Sequence, residues 1–186
     1  METTETKLNE LFLIVGTLGV GKTTITLELA KATGKKIIVL DDVVHKAYSD
    51  FAKITTEELA QQKSNCVVMM EDFDLTLEAL ANTQRNACII VEDAGRYISS
   101  NISMSVKRFI INHRKFNFDV FFMFHYLNEV PPYICKQYSK MLLFKTGDNL
   151  LKEQNKWSNW ETIKKKAAIV KKHKSFNHFE IITKYD

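Results

Sequence analysis

A five-residue apolar run, Leu11-Phe12-Leu13-Ile14-Val15, passes without a break into Gly16-Thr17-Leu18-Gly19-Val20-Gly21-Lys22-Thr23-Thr24. Nothing else in the chain restricts the fold so tightly. A buried-type strand, the spacing GxxxxGK[ST] and helix-forming sequence to about Ala32 make a strand–loop–helix unit that encloses an anion. The glycines let backbone N–H groups turn inward and approach a phosphate closely. The new helix sets its positive dipole end on that anion. Lys22 adds a mobile cation for the outer phosphates, and the Thr23 hydroxyl stands where it can ligate Mg²⁺. The expected ligand is ATP with Mg²⁺, cradled by Gly16 through Thr24.

The rest of the chain alternates buried strands with helices. Strands are predicted at Lys36–Leu40, Cys66–Met70 (at an edge), Ala87–Val91, Val120–Phe124, Lys140–Phe144 and Phe179–Thr183. Helices are predicted over Leu75–Gln84, over Ser103–Phe116 with Ile102, Val106, Phe109 and His113 on one face, and through most of Leu150–Lys174. Val43–Lys63 reads as a loop with a helix near Thr56–Gln62, and His125–Pro132 as a loop. This is the pattern of an α/β fold, a mostly parallel sheet with helices on both faces. Ligands in such sheets lie at the carboxyl ends of the strands, where Gly16, Asp41, Glu92 and His125 should emerge together.

At 186 residues the chain suits a flexible tail over residues 1–9 and a single domain over residues 10–186, whose end is a basic helical region and a final strand. No Ser/Gly-rich linker, repeat or low-complexity block interrupts it. Cys66, Cys88 and Cys135 form no CxxC pair, and Cys66 and Cys88 open apolar runs as reduced core thiols do. The polar N-terminus is not of secretory type, and no run has the length of a membrane-spanning helix, so the expected location is cytoplasmic. Charge is divided unevenly. Up to Ser100 there are 10 Lys/Arg against 15 Asp/Glu; from Asn101 onward there are 16 against 7. A basic second half beside a nucleotide-binding first half fits either a polyanionic partner such as nucleic acid or a solvated lysine-rich helix.

The strand Ile89-Ile90-Val91 ends in Glu92-Asp93, which supplies what an ATPase needs opposite its phosphate loop. One carboxylate can hold the metal through water and the other can orient or deprotonate the attacking water. In order along the chain, G-T-L-G-V-G-K-T, I-I-V-L-D, I-I-V-E-D-A-G-R-Y, H-R-K-F-N-F-D-V-F-F-M-F-H and L-L-F-K-T-G-D resemble the motifs of the FtsK–HerA class of P-loop ATPases. That class includes DNA translocases, viral genome-packaging ATPases and zonula-occludens-toxin-like phage assembly proteins. The resemblance implies a RecA/ASCE-like P-loop NTPase fold with an additional strand between the loop strand and the Glu92-Asp93 strand. It also implies a homo-oligomeric ring, often a hexamer, with each ATP at a subunit interface. By position Lys22 and Thr23 would hold phosphate and metal, and Glu92 and Asp93 would divide the metal and base roles. His125 falls where the class has a γ-phosphate sensor, and Arg114 or Arg108 are candidates for an arginine reaching a neighbour's ATP. The order Glu92-Asp93 inverts the more usual Asp then Glu, which leaves open which acid is the base, and His125 stands in place of the usual amide.

Lys164-Lys165-Lys166, Lys171-Lys172 and Lys174 lie on a helix whose Ile163, Ala167 and Val170 form a buried stripe. Such a helix can contact phosphates without reading sequence. Trp157, Trp160 and Phe176 could stack on single-strand bases, or anchor the helix to its sheet. The chain thus reads as an ATP-driven nucleic-acid motor of the genome-packaging kind, acting on DNA and docking on a capsid or portal-type protein. A small-molecule or nucleotide kinase and an ATP-binding phage assembly protein are the other two readings.

Overall fold

The computed structural model describes residues 9–148 and 156–184. The tail expected over residues 1–9 and the start of the helical stretch expected from Leu150 lie, but for Asn9, outside the described residues.

Among the described residues eight strands form one sheet. They are β1 (Leu11–Val15), β2 (Lys36–Asp41), β3 (Ala52–Ile54), β4 (Cys66–Met69), β5 (Ala87–Val91), β6 (Asp119–Phe124), β7 (Lys140–Leu143) and β8 (Glu180–Thr183). Their spatial order is β3-β4-β2-β5-β6-β1-β7-β8. Every pairing is parallel except β7 with β8. This is a P-loop NTPase fold. The central strands β1, β2, β5 and β6 are apolar without alternation because both sheet faces are covered, so no face is left for polar side chains.

Helix α1 (Lys22–Ala32) covers one face, packing Leu27 and Ala30 with Val20 and Tyr48 over Ile14, Val39 and Ile90. The other face carries α2 (Phe73–Thr83), α3 (Met104–Asn112) and, beyond the short α4 (Pro132–Cys135), α5 (Trp160–Lys172). Leu77, Phe109, Ile163 and Trp157 lie in that second core with Leu13, Ile89 and Phe122. Asp72 and Ser103 cap α2 and α3, accepting from the N–H groups of Leu75 and Val106 at 2.9 and 3.2 Å. Cys66, Cys88 and Cys135 are buried free thiols. Among the described residues no helix is long and apolar enough to cross a membrane.

Two expectations change, and one choice left open is resolved. β4 is internal rather than an edge, because the three-residue β3 pairs outside it. Helix α3 ends at Asn112, short of Phe116: the chain turns through Asn117 at φ 59° to bury Phe118 and start β6. Trp157 and Trp160 are 4% and 7% exposed, so they anchor α5 to the sheet and do not face a ligand, whereas Phe176 is exposed.

Candidate active site

The loop after β1 is pinned at both sides. Gly16 N–H donates to Phe124 O of β6 at 3.1 Å, and Thr17 N–H donates to Lys145 O beyond β7 at 2.9 Å. At Gly16 a side chain has no room, since a Cβ there would stand 2.5 Å from Phe144 Cβ. Gly21 takes φ 87° as it caps α1, a left-handed geometry that a Cβ disfavours.

Lys22 opens α1 and turns its side chain back along the loop. Its Nζ donates to Gly16 O at 2.5 Å and to Thr17 O at 3.1 Å, and lies 3.3 Å from His125 Nδ1. Burial pushes its pKa below the ordinary lysine value, and the charges of Asp93, Glu92 and Glu129 act against that shift.

Because β6 lies between β1 and β5, the strand implied by the resemblance separates the loop strand from Glu92-Asp93. The two acids nevertheless line the same cavity as Gly19, Lys22 and Thr23, a space of about 740 Å³ that continues to Asp41 and Val43. Glu92 is 7% exposed and its Oε1 accepts the Tyr48 hydroxyl at 2.6 Å. Burial pushes the Glu92 carboxyl up to about 7; hydrogen bonds from Tyr48 and Thr23 oppose the rise, while Asp41 and Asp93 add to it. The Tyr48 phenol is pushed up in turn, by burial and by Glu92. Asp41 is also raised, first by its own burial.

Asp93 turns the other way. It sits at φ 42° just past β5, a conformation that few non-glycine residues adopt and that recurs at functional sites. Its Oδ1 is 2.9 Å from His125 Nε2. Glu129 Oε2 accepts the backbone N–H of His125 at 2.9 Å and fixes the end of β6. His125 therefore joins Asp93 to Lys22 through its two ring nitrogens.

The residues brought together are Gly19, Gly21, Lys22, Thr23, Thr24, Glu92, Asp93 and His125, with the exposed Leu18 at the mouth. Arg108 and Arg114 are exposed and line no part of this cavity. Arg114 stands near the amino ends of the strands, where its carbonyl accepts from the Asn9 side chain. Sequence reasoning gave no role to Tyr48 or Arg96. Arg96 had a signal, being one tight turn beyond Asp93; Tyr48 had none within its own segment.

For Mg²⁺ the donor set is of the right kind: the Thr23 hydroxyl and the Glu92 carboxylate are hydrogen-bonded neighbours, both hard oxygen donors. Among the described residues no cluster of three or more His, Cys, Asp or Glu side chains could hold a metal unaided. That suits an ion whose remaining ligands are phosphate oxygens and water.

A family model described as CobW/HypB/UreG, nucleotide-binding domain, matches residues 10–122. No curated protein matches the sequence. Among solved structures the fold is similar to the genome packaging NTPase B204 from Sulfolobus turreted icosahedral virus 2. With sulfate bound, that structure gives a TM-score of 0.77 at 17% identity over 95% of this chain and 92% of that one. Its ATP-gammaS complex gives 0.75 at 18% identity, over 95% and 93%. The N-terminal domain of zonular occludens toxin from Neisseria meningitidis gives 0.51 at 15% identity, over 75% of this chain and 78% of that one.

Proposed function

This chain belongs to the CobW/HypB/UreG nucleotide-binding domain family; that premise makes nucleotide its ligand, and from the geometry of the site we propose that it is a Mg²⁺-dependent ATPase that moves nucleic acid. The form we favour is a viral genome-packaging motor of the FtsK–HerA class, working on DNA as a homo-oligomeric ring and docking on a capsid or portal-type protein. One observation carries the reading: Glu92 and Asp93 share a cavity with Lys22 and Thr23, and each acid has a different fixed partner. The likeness to packaging NTPase B204 along almost the whole of both chains supports the finer form.

Loop amides from Gly16 to Thr24 bind the phosphates, and Lys22 exchanges the carbonyls of Gly16 and Thr17 for phosphate oxygens. Thr23 and Glu92 would hold Mg²⁺, which neutralises charge on the outer phosphates. Asp93, oriented by His125, accepts the proton of the attacking water, and His125, in contact with Lys22, registers the γ-phosphate. Arg108 and Arg114, both remote from this cavity, could act only on a neighbouring subunit's ATP. The exposed Lys165, Lys171, Lys172 and Lys174 of α5 and its C-terminal turn meet the nucleic-acid backbone. A cytoplasmic or virion-associated location follows from that role.

A second reading has a specific basis, because the cavity runs past Glu92 to Asp41, where a kinase would hold an acceptor hydroxyl. Phosphate release with and without DNA, together with molar mass in a non-hydrolysable ATP analogue, separates the readings. DNA-stimulated release from a nucleotide-dependent ring is expected. Phosphate transfer to a small acceptor by a monomer or dimer would favour the kinase, and rings without turnover an assembly protein.

A further inference from the structure

The chain contains four arginines, Arg85, Arg96, Arg108 and Arg114, and Arg96 alone lines the phosphate cavity. Its position follows from the strained turn after β5. With Asp93 at φ 42°, Arg96 N–H donates to Asp93 O at 2.8 Å, closing a turn that returns the chain toward the cavity. The guanidinium is then gripped bidentately by Asp42, with Nη1–Oδ1 at 2.7 Å and Nη2–Oδ2 at 2.6 Å. Asp42 follows the last residue of β2, the strand beside β5, so the clamp is built from two adjacent strand ends. A planar two-point grip fixes the direction of a guanidinium as well as its location. The side chain is 53% exposed, and its guanidinium also lies 5.8 Å from the centre of the half-buried Tyr97 ring, which helps to hold it at the mouth of the cavity.

We propose that Arg96, aimed by Asp42, is a catalytic arginine acting on the γ-phosphate held in its own subunit. The inference rests on the ATPase reading above. During hydrolysis negative charge gathers on the γ-phosphoryl oxygens, where a fixed guanidinium stabilises the transition state more than the bound ground state. The pair with Asp42 is half in solvent, so guanidinium nitrogens can pass from the carboxylate to phosphate oxygens at small cost. Asp42 is a positioning residue in this scheme and does not touch the phosphate.

Steady-state phosphate release and ATP affinity are measured for wild type, Arg96→Gln and Asp42→Asn, with circular dichroism to verify folding. Arg96→Gln should lower kcat by about 10²–10³-fold, the loss typical of one transition-state donor, with ATP affinity within a few-fold of wild type. Asp42→Asn leaves the Arg96 guanidinium charged but removes the carboxylate that aims it, so kcat should fall about tenfold with affinity again preserved. Mixing then tests the subunit assignment. Arg96→Gln subunits combined with Lys22→Ala subunits should stay inactive, because every site lacks either the lysine or the arginine. Wild-type turnover by Arg96→Gln overturns the proposal while leaving the ATPase reading intact, and so does activity restored on mixing. A wild-type protein without phosphate release would instead sink the ATPase reading itself.

Discussion

Two largely buried lysines stand at opposite ends of this sheet, and their surroundings show how a binding group differs from a structural one. Lys35, near the amino ends of the strands, is held by a carboxylate, a side-chain amide and a carbonyl that are themselves fixed in the surrounding structure. Its Nζ meets Asp119 Oδ2 at 3.0 Å, Asn9 Oδ1 at 2.6 Å and Asn117 O at 3.0 Å. Lys22, at the carboxyl ends, rests on two carbonyls of its own loop and on His125, while Glu92 and Asp93 act on it only as nearby charges. Lys35 has its counter-ion. Lys22 has weak, exchangeable partners in a cavity, and a phosphate would replace them with charge-assisted bonds.

The sharpest way to break this contrast is to remove each lysine. Lys22→Ala should weaken ATP binding more than a hundredfold, seen by calorimetry, while leaving the melting temperature almost unchanged. Lys35→Met should leave Asp119 buried and unpaired, costing about 3 kcal/mol in chemical denaturation with ATP affinity unaltered. If Lys35→Met weakens ATP binding as much as Lys22→Ala, the two ends are not functionally distinct.

The acid beside Lys22 gives the next effect. Glu92 has its folded pKa raised to about 7 from 4.5, so its carboxyl is protonated in both folded and unfolded chains below about pH 4.5. Between 4.5 and 7 the unfolded chain loses that proton while the folded one keeps it, and stability falls as pH rises. At about 1.4 kcal/mol per unit, the loss is of order 3 kcal/mol across the window. Glu92→Gln should abolish this fall, measured as denaturation midpoints from pH 4.5 to 7.5 in chelator without nucleotide. The same variant should bind ATP and fail to hydrolyse it. A stability profile identical to wild type would show that Glu92 is not paying a burial penalty, and that its contact with Tyr48 compensates for it.

What the sequence disclosed and concealed follows the range of the interactions. β1, β2, β5 and β6 were legible because both faces are buried and the apolar runs are unbroken. β3 was not, since Ala52 and Lys53 are exposed and only Ile54 reaches the core. The end of α3 was missed because Arg114 and Lys115 favour helix locally, whereas the chain stops there to bury Phe118. Within the site, Lys22, Thr23, Glu92 and Asp93 were readable from short motifs. Their organisers were not. Tyr48 meets Glu92 from 44 residues away and Arg96 meets Asp42 from 54, and no local period encodes such a pairing. The missed residues are those whose partners the topology supplies.

The smallest expected effect extends the comparison of paired and exchangeable lysines to the surface of α5. Lys166 is tied to Glu180 at 3.3 Å and Lys164 to Glu161 at 2.8 Å, whereas Lys165 and Lys172 are exposed. If the exposed pair contacts nucleic-acid phosphates, each neutral substitution releases one fewer counterion on binding. Lys165→Gln and Lys172→Gln should each reduce the slope of log affinity against log salt by about 0.7–0.9, with no dependence on DNA sequence. Lys166→Gln, whose charge is already partnered, should change that slope less. DNA titrations by fluorescence anisotropy at several salt concentrations measure the difference. Equal slopes for wild type and both exposed-lysine variants would remove α5 from the nucleic-acid path, because a charge that releases no counterion is not touching the polymer.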